Sequence, residues 1–242
     1  MVTMRETSDE SILLAGGAAA ILLQIADPAV ARGVAGHSNF AERPLDRLHG
    51  TLTYLYVTVY GTPEEARAVA RRVGDSHRSV PRAGDAELQL WVAATLYDTA
   101  MRVRELVWGP DSPETQESLL DDYAIVATAL GVPRSMWPAS RSAFTQYWNA
   151  YPVTVGDDAR AVARDLLHPR RPRWLGFVMP PVRVMTAGLL SPDLREAYGL
   201  EHDPARFERL ARRLRAIYPR LPHRLRTWPA RHYLRQFRRA RT

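Results

Sequence analysis

The chain has 242 residues, 46% of them hydrophobic, no cysteine, and 33 basic against 26 acidic residues for a formal charge of +7. All 33 basic residues are arginine. This excludes disulfides, thiolate metal sites, cysteine nucleophiles, lysine Schiff bases and a phosphate-loop lysine. A single domain of this length buries roughly 70–75% of its unfolded surface and needs no covalent staple. The absence of cysteine is consistent with a cytoplasmic location, which we expect.

In chain order, the first signal is an apolar run over 12–26, carrying Ile12, Leu13, Leu14, Ile21, Leu22 and Ile25. It is broken by Gly16, Gly17 and Gln24 and is too short to span a membrane. The acids Glu6, Asp9 and Glu10 before it do not suit a signal peptide. It reads as a buried helix capped by Ser8 or Asp9 and ending before Pro28. Residues 33–40, with Gly33, Gly36 and His37, read as a Gly-rich connection. They lack the Lys-Ser/Thr ending of a phosphate loop.

Residues 51–60 are β-branched and aromatic, which favours a strand. A lone strand has no partner here, so a buried helix is preferred. Thr62-Pro63-Glu64-Glu65 is a capping box that opens a helix reaching about Ser79. A long helix over 88–106 follows. Leu88, Val92, Leu96, Thr99, Val103 and Leu106 form an apolar stripe. Trp91, Thr95, Asp98, Arg102 and Glu105 form a second, with Asp98 and Arg102 as an i, i+4 pair.

Asp111-Ser112-Pro113-Glu114 starts another helix, which stops near Gly131. Residues 150–158 and 168–190, rich in Pro and Gly, read as loops. Ser191-Pro192-Asp193 starts a short helix ending at Gly199. Asp203-Pro204 starts one through Ile217. No repeat or low-complexity linker divides the chain. It reads as an all-α helical domain over 1–205 with an Arg-rich segment, 206–242, packed on the same domain.

That segment holds 13 Arg and one acid, Glu208, so the whole positive excess lies there. The charge suits phosphate contacts, and Trp228, Tyr233 and Phe237 suit base stacking. No nucleic-acid motif accompanies them. We therefore read Trp228, Tyr233, Leu234 and Phe237 as packing the segment on the body. The seven histidines show no metal-ligand spacing, and no GxSxG occurs.

Several stretches taken together resemble one family. They are residues 22–30, 33–40, 44–61 with the helix start at 61–66, 91–100, 186–192 and 194–200. They are similar to the bacterial branch of the MpaB and rubber-oxygenase (latex-clearing protein) family. The resemblance implies an all-α domain with a globin-like core, haem b, and dioxygen-dependent cleavage of isoprenoid double bonds. It also implies that 51–60 is helical. Arg47 and Thr51 match the haem-pocket Arg and Thr of the family, and Asp98 matches its acid.

Two family histidines are replaced. The pattern "AHPAV" is Ala26-Asp27-Pro28-Ala29-Val30 here, and "WVHATL" is Trp91-Val92-Ala93-Ala94-Thr95-Leu96. The second of these histidines is the expected iron ligand. The distal lysine of rubber-degrading members falls near Gly50. Substitute axial ligands are Tyr97, one turn beyond Ala93, His37 and His77. Arg47 or Arg102 would pair with the propionates. The expected function is an oxygenase-like oxidoreductase acting on a small apolar or prenylated metabolite. In it, Arg47, Thr51 and Asp98 orient dioxygen or relay protons. The alternative is a haem-free descendant, either a cofactor-independent enzyme or an apolar-ligand-binding protein.

Overall fold

The computed structural model describes residues 9–37, 44–78, 80–169 and 172–240. Among them are thirteen α-helices, three short 3-10 turns and no strand. Helix α1 is Gly17–Ile25, α2 Pro28–His37, α3 Pro44–Tyr60, α4 Pro63–His77, α5 Ala86–Trp108, α6 Pro113–Ala129 and α7 Arg141–Ala150. Helix α8 is Asp157–Leu167, α9 Leu175–Leu189, α10 Pro192–Tyr198, α11 Pro204–Ile217, α12 His223–Arg226 and α13 Trp228–Arg239. The all-α class is as expected.

Local chemistry sets most helix starts. The Thr62 hydroxyl accepts the Glu65 amide at 3.2 Å, and the Glu65 carboxylate accepts the Thr62 amide at 2.8 Å. Ser112, Ser191 and Asp203 cap α6, α10 and α11 by accepting the amide three residues on. Each such cap is worth about 1 kcal/mol. Gly199, at φ 64°, ends α10 in the left-handed region that favours glycine. The strand-prone residues 51–60 lie within α3, with Leu52, Tyr54, Tyr56 and Val57 buried. Packing on three neighbouring helices overrides the propensity of those side chains.

Four expectations need correction. The first apolar segment begins as a 3-10 turn, Ser11–Gly16, before α1. Glu10 occupies its N-cap without a capping bond. Its carboxylate is instead taken by Tyr218 and Arg226. Ser8 lies outside the described residues. Second, the expected connection at 33–40 is helical as far as His37, within α2, and 38–40 lie outside the described residues. The cause is Asp27, whose carboxylate accepts the Ala29 and Val30 amides at 2.7 and 3.1 Å.

Third, α9 occupies most of the expected loop over 168–190, whereas 151–156 is the expected connection. Helix α9 runs through Pro180 and Pro181. Its buried residues Leu175, Met179, Met185 and Leu189 hold it to the core. The carbonyls those prolines release, at Gly176 and Phe177, belong to exposed residues that water can reach. Fourth, Tyr233 and Phe237 are buried against the body, but Trp228 is exposed.

Helix α5 is shared by two cores. Val103 and Val107 join Leu22, Leu23 and Ile25 of α1, Val162 of α8 and Met185 of α9. Leu90, Ala93, Ala94 and Tyr97 join Tyr54 and Val57 of α3, Tyr123 and Val126 of α6, and Phe144 of α7. A helix so placed is buried on most sides, and Arg102 and Glu105 mark its exposed edge. Arg104 is buried on it and makes a bidentate pair with Asp111 at 2.6 and 2.8 Å. Helix α13 lies along α3, with Tyr233 and Ala230 against Leu52 and Tyr56.

Candidate functional site: an aromatic seam between α5 and α7

Helix α7 opens at Ser140, whose hydroxyl accepts the Ala143 amide at 3.1 Å. This start fixes Arg141 at the first helical position, where its amide donates to the Glu117 carboxylate at 3.0 Å. From there Phe144, Tyr147, Trp148 and Tyr151 recur at three and four residues and face α5.

The two helices meet in a ladder of rings. Tyr97 is T-shaped to Phe144, with centroids 4.9 Å apart. Phe144 stacks on Trp148 at 5.9 Å, and Trp148 tilts on Trp91 at 5.1 Å. Tyr151 lies flat on Trp91 at 3.9 Å. Beyond Tyr97 the ladder continues to Tyr123 and Trp137. Trp91, Tyr97, Trp137 and Phe144 are buried, so the ladder is a packed apolar seam.

Polar groups stand at both ends. At one end an Arg141 guanidinium nitrogen donates to the Tyr97 hydroxyl at 3.1 Å. Asp98 pairs with Arg102 at 2.6 Å. Burial pushes the Asp98 carboxyl above its ordinary range, against the pull of Arg102 and Arg141. At the other end the Tyr151 hydroxyl donates to Asp27 at 2.9 Å. Between them the Tyr147 hydroxyl is buried and makes no hydrogen bond among the described residues. An orphaned buried hydroxyl is costly and calls for an explanation.

The expected site residues divide accordingly. Tyr97, Asp98 and Arg102 come together with Arg141. Thr51 is half-buried on α3, whose packing neighbours are α4, α6 and α13. His37, Arg47 and His77 lie on α2, α3 and α4, and their side chains are outside the described residues. Arg141, Tyr147 and Tyr151 escaped the sequence reading. Ser140 as an N-cap, followed by aromatics at helical spacing, was the available signal.

The residues described do not fit a haem held in the family manner. Ala93 has 0% exposure among Tyr54, Val57 and Tyr97, so its position offers neither a donor atom nor room. The Asp27 carboxylate is committed to the start of α2 and to Tyr151. Tyr97, the nearest substitute ligand, is ringed by Tyr123, Trp137 and Phe144, and its oxygen accepts from Arg141. Burial pushes its phenol up, which opposes the phenolate an iron would need. Among the described residues, no group of three or more His, Asp or Glu side chains could hold a metal ion.

A cleft of about 250 Å³ lies elsewhere, between the end of α4 and the start of α5. It is lined by Val73, Arg78, Val80, Arg82, Gln89 and Leu130 among others, and Thr51, Tyr97, Asp98 and Arg102 are not part of that lining.

Two relatives can be set beside this chain. The uncharacterized protein Rv2237 of Mycobacterium tuberculosis and the uncharacterized protein Mb2261 of Mycobacterium bovis are each 32% identical over 231 residues. Each match covers 86% of this chain and 89% of the relative. No solved structure matches. Residues 4–220 match the model of the catalytic domain described as ER-bound oxygenase mpaB/B′/rubber oxygenase. With that match spanning most of its length, the chain belongs to the mpaB and rubber-oxygenase family.

Proposed function

We propose that this chain is a haem-free member of its oxygenase family, taking a small apolar or prenylated metabolite along the α5–α7 seam. The observation that carries the reading is the ladder of rings from Tyr97 to Tyr151, running past Ala93 where the family places a histidine. Trp91, Tyr97 and Phe144 are buried against their neighbours, so an unsaturated chain enters by parting α7 from α5, and the ring faces it then covers supply its affinity.

In this reading Asp98 handles protons. Burial favours its neutral form, and Arg102 and Arg141 stabilise the charged form, so a proton can leave and return. Arg141 positions Tyr97 through its hydroxyl. The Tyr147 hydroxyl, without a hydrogen-bond partner among the described residues, supplies a donor for an oxygen on the ligand.

Family membership supports a second reading, a haem-dependent oxygenase with a substitute ligand. Purification from haem-supplemented cells separates the two. The expected result is no Soret band for the wild type and tryptophan quenching on addition of farnesol. Trp91→Ala and Phe144→Ala should weaken that quenching. A stoichiometric Soret band that vanishes in Tyr97→Phe overturns the haem-free reading.

A further inference from the structure

One surface remains unused by the seam. Ile217, Leu221, Leu225 and Trp228 occur at intervals of four, four and three residues around the 3-10 turn Tyr218–Arg220 and α12. All four are exposed, at 58%, 38%, 62% and 56%. All four fall within one twelve-residue segment that joins the end of α11 to the start of α13. Four large apolar side chains together in water mark an interaction surface rather than ordinary exposure.

The charge around them narrows the partner. Arg212, Arg213, Arg215, Arg220 and Arg224 are exposed beside the stripe, and no acid follows Glu208 in the chain. A partner must therefore be negative at its surface and apolar just beneath. A nucleic-acid backbone offers the charge but leaves Ile217, Leu221 and Leu225 in water. A bilayer with anionic headgroups meets both demands: arginines at the phosphates, aliphatic side chains below them, and an indole at the boundary.

We propose that the stripe from Ile217 to Trp228 seats the protein peripherally on an anionic lipid surface. Nothing spans in this arrangement. Among the described residues no single helix is long and apolar enough to cross a membrane. The inference does not depend on the haem-free reading or on the seam.

The test is cosedimentation of the full chain with vesicles of phosphatidylcholine alone and of phosphatidylcholine with 30% phosphatidylglycerol. The expected result is binding to the anionic vesicles only, weakening as salt rises. Leu225→Ser with Trp228→Ser should weaken it about tenfold, as should Arg220→Gln with Arg224→Gln. Circular dichroism of both variants should match the wild type, because all four side chains are exposed. The proposal is overturned by the absence of vesicle binding or by equal binding to neutral vesicles. Undiminished binding by the Leu225/Trp228 variant also overturns it. So does loss of binding in Phe177→Ser instead, since Phe177 is an exposed aromatic on α9. A salt-sensitive complex with DNA in place of vesicle binding would assign the surface to nucleic acid.

Discussion

Tyr151 lies on Trp91 with centroids 3.9 Å apart and planes 2° from parallel, and from that position its hydroxyl reaches Asp27. Trp91 is itself fixed, since its indole N–H donates to the Leu23 carbonyl at 3.0 Å. The pair thus ties α5 and the end of α7 to the junction of α1 and α2. Asp27, at that junction, caps the start of α2.

The cap and the hydroxyl should therefore be coupled. Asp27→Ala is expected to cost about 1–2 kcal/mol through loss of the cap. Tyr151→Phe, which keeps the stacking, should cost about 1 kcal/mol. The double variant should lose less than the two together, because one hydrogen bond is removed in both. Urea unfolding of the four proteins measures the coupling, and strict additivity would show that the contact is idle.

Asp98 gives a pH prediction. Its folded pKa lies above the ordinary value of 3.8, so the folded state holds its proton more tightly than the unfolded chain does. Its contribution is fully favourable below the ordinary value and is lost as pH rises through the folded pKa. Relative to Asp98→Asn, the wild type should lose stability as pH rises from 3 toward neutrality. Unfolding midpoints of both proteins across that range check the sign, and an opposite slope would mean that Arg102 and Arg141 outweigh burial.

Glu10 is buried and accepts from Tyr218 and Arg226, each at 2.7 Å. Glu10→Ala leaves the largely buried Arg226 without its carboxylate and should cost about 3 kcal/mol. Glu10→Gln keeps the shape and part of the hydrogen bonding and should cost less. Thermal unfolding in both backgrounds measures the difference. Equal losses would point to packing rather than charge.

The crossing of α9 and α11 depends on a missing side chain. A Cβ at Gly188 would stand 2.1 Å from the Phe207 ring. Gly188→Ala should cost about 1–3 kcal/mol by overpacking. Phe207→Leu, introduced alongside it, should recover part of that loss. Denaturant midpoints test this, and a neutral Gly188→Ala would mean that the two helices separate easily.

Much of the helical framework was legible because its signals are local. Thr62 with Glu65, Ser112, Ser191 and Asp203 each act within three residues of themselves. Asp27 was legible only as a departure from the family pattern. Its role as a cap was missed because residues 33–40 were read from their glycines. Helix α9 was missed because Pro180 and Pro181 speak against a helix locally, and the buried Leu175, Met179, Met185 and Leu189 outvote them. On α5, the Asp98–Arg102 pair was visible at i, i+4. The burial of Arg104 was not, because its partner Asp111 lies beyond the helix end.

The candidate site divides along the same line. Tyr97, Asp98 and Arg102 share one helix, and their spacing alone placed them together. Arg141 is 44 residues from Tyr97, and Tyr151 is 124 from Asp27. By itself, the sequence determined the all-α class, most of the capped starts and the family. Only the tertiary structure decided the surroundings of Ala93 and Asp27: a closed core at the first, a cap at the second, and a seam of rings between α5 and α7. Caps and helical periods act over a few residues and can be read along the chain. The packing of rings and the burial of charge depend on which distant surfaces meet.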